Sequence, residues 1–281
     1  MGKGKIIEIK GDDFRRMQLL QLELIKELDR VCRLHHIRYT ICCGTLLGAV
    51  RHKGYIPWDD DADITMLRED YEKFKKHTGE LNPKICFFQD HTTDPNYLWG
   101  YAKLRMVNTE YVRVGQEHIH CKSGVNIDIF PLDDVPGTTV GQMVQDFKCF
   151  VLRKILWAQV ASVSGSGFSK IVYKLLAHIK PSTVHRIVDG WAKKSRNHSK
   201  RRVRTLLFNS LGKLYVRNSL QYRYSMPKWW FLDPAEYEFE GCKFYGIRNY
   251  DAFLKYMYDD YMTLPPENER VGHAPVSRYR F

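Results

Sequence analysis

Residues 44–64, GTLLGAVRHKGYIPWDDDADI, decide how this chain is read. Asp59, Asp60, Asp61 and Asp63 fall within five residues, directly after Trp58 and directly before an apolar run. Yet the 281-residue chain carries a net charge of +12. Side chains alternate along a strand, so if DADITM (61–66) is a strand, Asp61 and Asp63 leave one face while Ala62 turns to the other. Two carboxylates that close repel each other and stay ionised only with positive charge between them. A hard divalent cation, Mg²⁺ or Mn²⁺, meets that need and keeps coordination positions open for substrate phosphates. An exposed turn, capping a helix or pairing with Arg51 and Lys53, is the competing reading. It suits Asp59 and Asp60, which precede the strand, better than it suits Asp61 and Asp63.

A third acid completes a two-metal site. Asp128 lies mid-strand in GVNIDIFPLDD (124–134), between Ile127 and Ile129, where an unpaired carboxylate is costly. Asp133 and Asp134 follow Pro131 and read as a structural turn. Upstream, Gly44 and Thr45 end one element and open a helix whose free N–H groups form an anion site, with Gly44 allowing close approach of a phosphate.

Working outward, Met17, Leu20, Leu24, Leu28 and Val31 recur at helical spacing in a helix capped by Asp12 or Asp13 and running to about Leu34. IRYTICC (37–43) reads as a strand, TLLGAVRH (45–52) as a short helix, and 68–77 as a charged helix with Tyr71 and Phe74 inward. Further strands are expected at 85–88, 97–106 and 125–130. This is an α+β chain with a mixed sheet. Residues 140–224 change to long apolar, helical stretches. CFVLRKILWAQVASV (149–163) is too short and too charged to span a bilayer, and reads as a core helix hairpin or as an interfacial helix. Three regions follow: a catalytic core (1–139), a helical insertion facing acceptor or membrane (140–225), and a C-terminal segment packing back on the core (226–281).

An apolar fraction of 44% and an aromatic fraction of 13% belong to a folded chain. The N-terminus lacks an apolar h-region, and Ile6 breaks the myristoylation pattern. Seven cysteines without a C-x-x-C pair read as buried, reduced thiols of a cytoplasmic protein. The excess of Lys and Arg points to nucleic acid, an anionic membrane surface or a phosphorylated substrate. The run Lys200–Arg202 with Arg204 reads as a solvated loop rather than a nucleic-acid site, so no nucleic-acid partner is expected.

A strand, Gly-Thr, a short helix, Asp-x-Asp and a later Asp resemble the polymerase-β-like nucleotidyltransferase pattern. More specifically, CGTLLGAVRHKGYIPWDDDADI (43–64), YAKLRMVNTEYV (101–112), NIDIFPLDD (126–134) and YDDYMTLPPENERVGH (258–273) resemble the LicD family of phosphocholine transferases, related to fukutin-related ribitol-phosphate transferases. Asp259, where a Gly is expected, and Gly246-Ile247, where Ile-Pro is usual, depart from it.

The resemblance implies a nucleotidyltransferase-like sheet flanked by helices, with Asp61, Asp63 and Asp128 catalytic and holding two Mg²⁺ or Mn²⁺ ions. It also assigns donor binding to Gly44, Thr45, Lys103, Arg105, Arg270 and His273; Lys103 and Arg105 share one strand face. The donor it implies is CDP-choline or another CDP-alcohol, with CMP released. The acceptor is a hydroxyl of a cell-surface glycan precursor of the lipopolysaccharide or teichoic acid kind, which a lipid-linked form would bring to the inner face of the membrane. Choline itself requires aromatic faces. Tyr55, Trp58, Tyr97, Trp99 and Tyr101 are the nearby candidates, though aromatics more often pack in cores. His52 reads as a surface helix residue. The rival readings are a nucleotidyltransferase that releases pyrophosphate and a non-catalytic module that binds nucleic acid or membrane.

Overall fold

The computed structural model describes residues 6–195, 201–208, 224–272 and 275–281. Helix α1 (Gly11–Leu34) buries Met17, Gln21, Leu24, Leu28 and Val31 along one stripe. Lys10, not Asp12 or Asp13, stands at its cap. Both aspartates lie in the first turn, where they act on the helix dipole instead.

The sheet is built from β1 (Thr40–Ile41), β2 (Asp63–Leu67), β3 (Cys86–Gln89), β4 (Ala102–Met106), β6 (Asn126–Asp134), β9 (Pro234–Phe239) and β10 (Cys242–Ile247). Their order is β3-β4-β6-β2-β1-β10-β9, with β2–β6 and β1–β10 parallel and the other pairs along this path antiparallel. This is the expected α+β mixed sheet. β5 (Glu110–Arg113) and β11 (Val276–Arg280) form a separate antiparallel ribbon. Ile64, Met66, Leu104, Ile127 and Ile129 join one core cluster with the buried stripe of α1. Asp63, Asp128 and Lys103 alternate with these residues and so leave by the opposite face.

Three local expectations are corrected. The strand at 37–43 shrinks to two residues because α2 (Cys43–His52) begins early, with the Leu46 amide donating to the Cys42 carbonyl at 3.1 Å. The turn after Pro131 does not form: β6 continues to Asp134, held by Arg68 on Asp133 (2.7 Å) and Lys228 on Asp134 (2.9 Å). The basic run is a strand at its end, since β7 (Arg202–Arg204) pairs with Asp133 and Asp134 of β6 and with β8 (Met226–Pro227). Arg204 is buried there on Asp146 at 2.9 Å. Burial of that ion pair draws the chain out of solvent.

Helix α3 (Arg68–Lys76) buries Tyr71 and Phe74 as expected. Helices α4 (Thr139–Ser164), α5 (Gly167–Leu176) and α6 (Pro181–Ser195) follow β6, and α7 (Tyr250–Tyr258) follows β10. Among the described residues no helix is long and apolar enough to cross a membrane. All seven cysteines are free thiols.

His185 on α6 is buried, its ring stacked on His91 at 4.3 Å, while His91 bonds Asp189 at 3.1 Å. Burial, then the neighbouring His91, push His185 down to about 4. The unfolded value is about 6.5. A lowered base leaves stability intact above the unfolded value and removes it as pH falls towards the folded one, by at most about 3 kcal/mol here. His185→Phe should therefore retain more of its neutral-pH Tm at pH ~4.5 than the wild type. Parallel loss of Tm in both proteins, followed by calorimetry, would remove His185 as the acid-labile point.

Candidate active site

The register of the sheet assembles the site. Asp63 of β2 faces Asp128 of β6 directly, and Asp128 faces Lys103 of β4 on its other side. Neighbouring strands lie about 4.8 Å apart, so these three side chains form one polar row across three strands. Lys103 bonds Asp128 in a buried ion pair, and the Asn126 side-chain amide donates to the same carboxylate at 2.9 Å. Burial pushes the Lys103 ammonium down to about 8, although Asp128 opposes the shift. Gln89 of β3 extends the row opposite Lys103.

Asp61 reaches the row by a different route from strand alternation. It precedes β2, and its carboxylate clusters with those of Asp59 and Asp60, all within 4.8 Å of one another. Asp59 and Asp60 are buried, so the exposed-turn reading of these two is corrected. Helix α1 supports the bend: the side-chain amides of Gln18 and Gln21 donate to the carbonyls of Asp59 (3.0 Å) and Asp60 (2.9 Å). Gly44 is required on the opposite side, because a Cβ there would lie 2.3 Å from Asp59 Oδ2. Thr45 is buried, and its hydroxyl accepts from the Asp63 amide at 2.8 Å, which fixes the start of β2.

Burial, followed by Asp61, Cys43, Asp128 and Asp59, pushes the Asp63 carboxyl well above the usual carboxylate range. The Asp63 carboxylate also groups with the Cys42 and Cys43 thiols, whereas Asp61 groups with Asp59 and Asp60. The oxygens of Asp61, Asp63 and Asp128 are of the hard type that a divalent cation of the Mg²⁺ class takes, with Asp128 at present paired to Lys103.

A cleft of about 100 Å³, partly open to solvent, lies beside the row. Trp99, Tyr101, Lys103, Arg105, Arg113 and Lys122 are among its walls. Arg105 is buried and spent on its surroundings: it bonds Gln89, the Gly124 carbonyl (2.8 Å) and Asn126 (3.2 Å). Arg113 was not singled out by sequence. Burial opposes its charge, but Tyr101, Asp128, Tyr111 and Asp61 outweigh this and raise its proton affinity. Tyr101 is also displaced upward, by burial and then Asp128, so its hydroxyl stays protonated and able to donate. Alternation within a short strand gives no signal for Arg113, because β5 acquires its partner from the distant β11.

Arg270 sits in a second cavity with Trp58, Asp60 and Gly272; its Nε donates to the Pro265 carbonyl at 2.9 Å, and its guanidinium lies 5.4 Å from the Trp58 ring centre. Tyr111 lines both cavities. His273 lies outside the described residues. Of the five aromatic candidates, Tyr97 is buried, Trp99 and Tyr101 line the cationic cleft, and Trp58 and the buried Tyr55 border the second cavity.

Residues 36–162 match the family described as LicD/FKTN/FKRP, nucleotidyltransferase domain. Over 274 residues the chain is 26% identical to the lipopolysaccharide cholinephosphotransferase LicD of Haemophilus influenzae, covering 94% of this chain and 97% of that protein. Shorter similarities reach uncharacterised proteins of Rickettsia typhi, 46% over 54 residues (19% of this chain and 18% of the relative), and Rickettsia prowazekii, 50% over 48 residues (17% and 18%).

Proposed function

The chain belongs to the LicD family, and from that premise we propose that it transfers phosphocholine from a CDP-linked donor to a hydroxyl of a lipopolysaccharide-type glycan, releasing CMP. The observation that carries the reading is the row Asp63–Asp128–Lys103 beside a cation-lined cleft. The kinship over almost the full length of a cholinephosphotransferase supplies the alcohol and the acceptor class.

In-line displacement at a phosphorus atom places most of the catalytic demand on positioning and charge neutralisation. Asp61, Asp63 and Asp128 would hold Mg²⁺ or Mn²⁺, two ions in this reading, whose positive charge offsets that of the phosphate oxygens. Lys103, Arg113 and Lys122 neutralise the rest of the donor's phosphate charge from the cleft wall. Asp128, oriented by Lys103 and Asn126, accepts the proton of the acceptor hydroxyl. Tyr101 donates a hydrogen bond from a hydroxyl that does not ionise at working pH. Trp99 adds an aromatic wall for the quaternary ammonium of choline, while the Tyr101 ring packs on Phe130 and lies 5.4 Å from the Lys103 ammonium.

The test is which bond breaks. With CDP-choline labelled in the choline-side phosphate, label should pass to the glycan while CMP is released. Label recovered as free phosphocholine, with cytidylate on the acceptor, would make the protein a nucleotidyltransferase and overturn the reading.

A further inference from the structure

Helix α4 has two apolar faces. Cys149, Leu152, Ile155 and Leu156 are buried in a small second core with α6. Val140, Met143, Val144, Phe147 and Val151 recur at three- and four-residue spacing on another side and are exposed, Phe147 by 67%. Helix α5 buries none of its side chains. Its Phe168, Ile171, Val172 and Leu175 form the same kind of stripe, with Phe168 80% and Leu175 68% exposed. Solvent-facing apolar area of this extent marks an interaction surface.

The charge around these stripes identifies what covers them. From Phe147 to Val188 the sequence has seven lysines and arginines and no acid. The one acid within α4 and α5, Asp146, is buried in its ion pair with Arg204. A second copy of a chain with net charge +12 would bring like charge against this surface. Anionic lipid meets both requirements, because its headgroups attract the lysines while its acyl region takes the apolar stripes. Long lysine side chains lay their stems on apolar surface and reach outward to the headgroups.

We propose that α4 and α5 dock in the plane of an anionic lipid bilayer. Arg153, Leu156, Trp157 and Val160 of α4 line a cavity together with Trp99 and Tyr101, the two aromatics that also wall the cationic cleft. These α4 residues lie on the side of the helix turned away from its exposed stripe, so docking sets the cleft a helix diameter, ~10 Å, from the lipid, within reach of the sugar of a lipid-linked acceptor. That last step rests on the proposed transfer reaction; the docking does not.

Vesicle co-sedimentation tests it with neither donor nor acceptor present. The protein should pellet with phosphatidylcholine vesicles containing phosphatidylglycerol and much less with phosphatidylcholine alone. Phe147→Asp/Leu175→Asp should weaken binding by at least about tenfold with Tm unchanged. Lys148→Glu/Lys154→Glu should weaken it at low salt, with the difference shrinking as salt rises. Equal binding by wild type and the Phe147/Leu175 variant overturns the proposal. So does absence of vesicle binding together with a concentration-dependent dimer in light scattering. Because transfer to a water-soluble acceptor is measured separately, loss of one reading leaves the other standing.

Discussion

Asp63→Asn should leave a folded protein whose transfer rate has fallen by on the order of 10³-fold or more. The side chain keeps its shape and its place beside Asp128, so the loss reports charge rather than packing. Stability should move the other way. Asp63 has its pKa raised in the folded protein, by burial first and then by Asp61. An acid raised in this way binds its proton more tightly in the fold than in the unfolded chain. The cation-free wild type is therefore most stable where Asp63 is protonated, and loses stability as pH rises from about 3.9 through the raised value. Asp63→Asn lacks that loss, so its cation-free Tm at neutral pH should equal or exceed the wild type's. Mg²⁺ or Mn²⁺ should raise the wild-type Tm, and raise it more at higher pH, but do little for the variant. Thermal melts and titration calorimetry with and without cation check this. Asp61→Asn should likewise lose turnover. A variant that keeps both turnover and a cation-induced rise in Tm would remove the carboxylate row from the chemistry.

Arg113→Met should lower kcat/KM for the CDP-linked donor by on the order of 100-fold while cation-induced stabilisation survives. The guanidinium faces the cleft among Tyr101, Asp128, Tyr111 and Asp61. Its removal takes away a preorganised positive charge where the donor's phosphates are expected. Arg113→Lys should recover part of the loss, since an ammonium keeps the charge without the planar fork. Steady-state kinetics over donor concentration separate this from a folding defect. A donor KM and kcat that both stay at wild-type values would show that the cleft holds something other than the donor.

Much of the site could be read from local pattern. DADI and NIDIF each place a carboxylate in an apolar run, and parallel pairing of β2 with β6 brings Asp63 and Asp128 side by side. Lys103 was legible by alternation and turns out to be Asp128's own partner. The residues that escaped depend on distant segments. The buried state of Asp59 and Asp60 comes from Gln18 and Gln21, about forty residues upstream, which satisfy the carbonyls of an otherwise turn-like WDDD. Arg204 looked solvated because its partner Asp146 belongs to α4, a distant segment of the chain. Asp61 was read from strand alternation, but it lies in the bend before β2, where alternation does not apply.

The β5–β11 ribbon gives the cleft a history as well as a shape. Glu110 and Arg278, bonded across it, are 168 positions apart in the chain. A protein made from its N-terminus has all the acids of the row, from Asp59 to Asp128, long before Val276 emerges to pair with Arg113. Closing so long a loop is entropically costly and comes late. During synthesis the nascent chain thus holds its carboxylates without the ribbon that positions their cationic wall. In the proposed reading, competence to bind a charged donor waits on this ribbon.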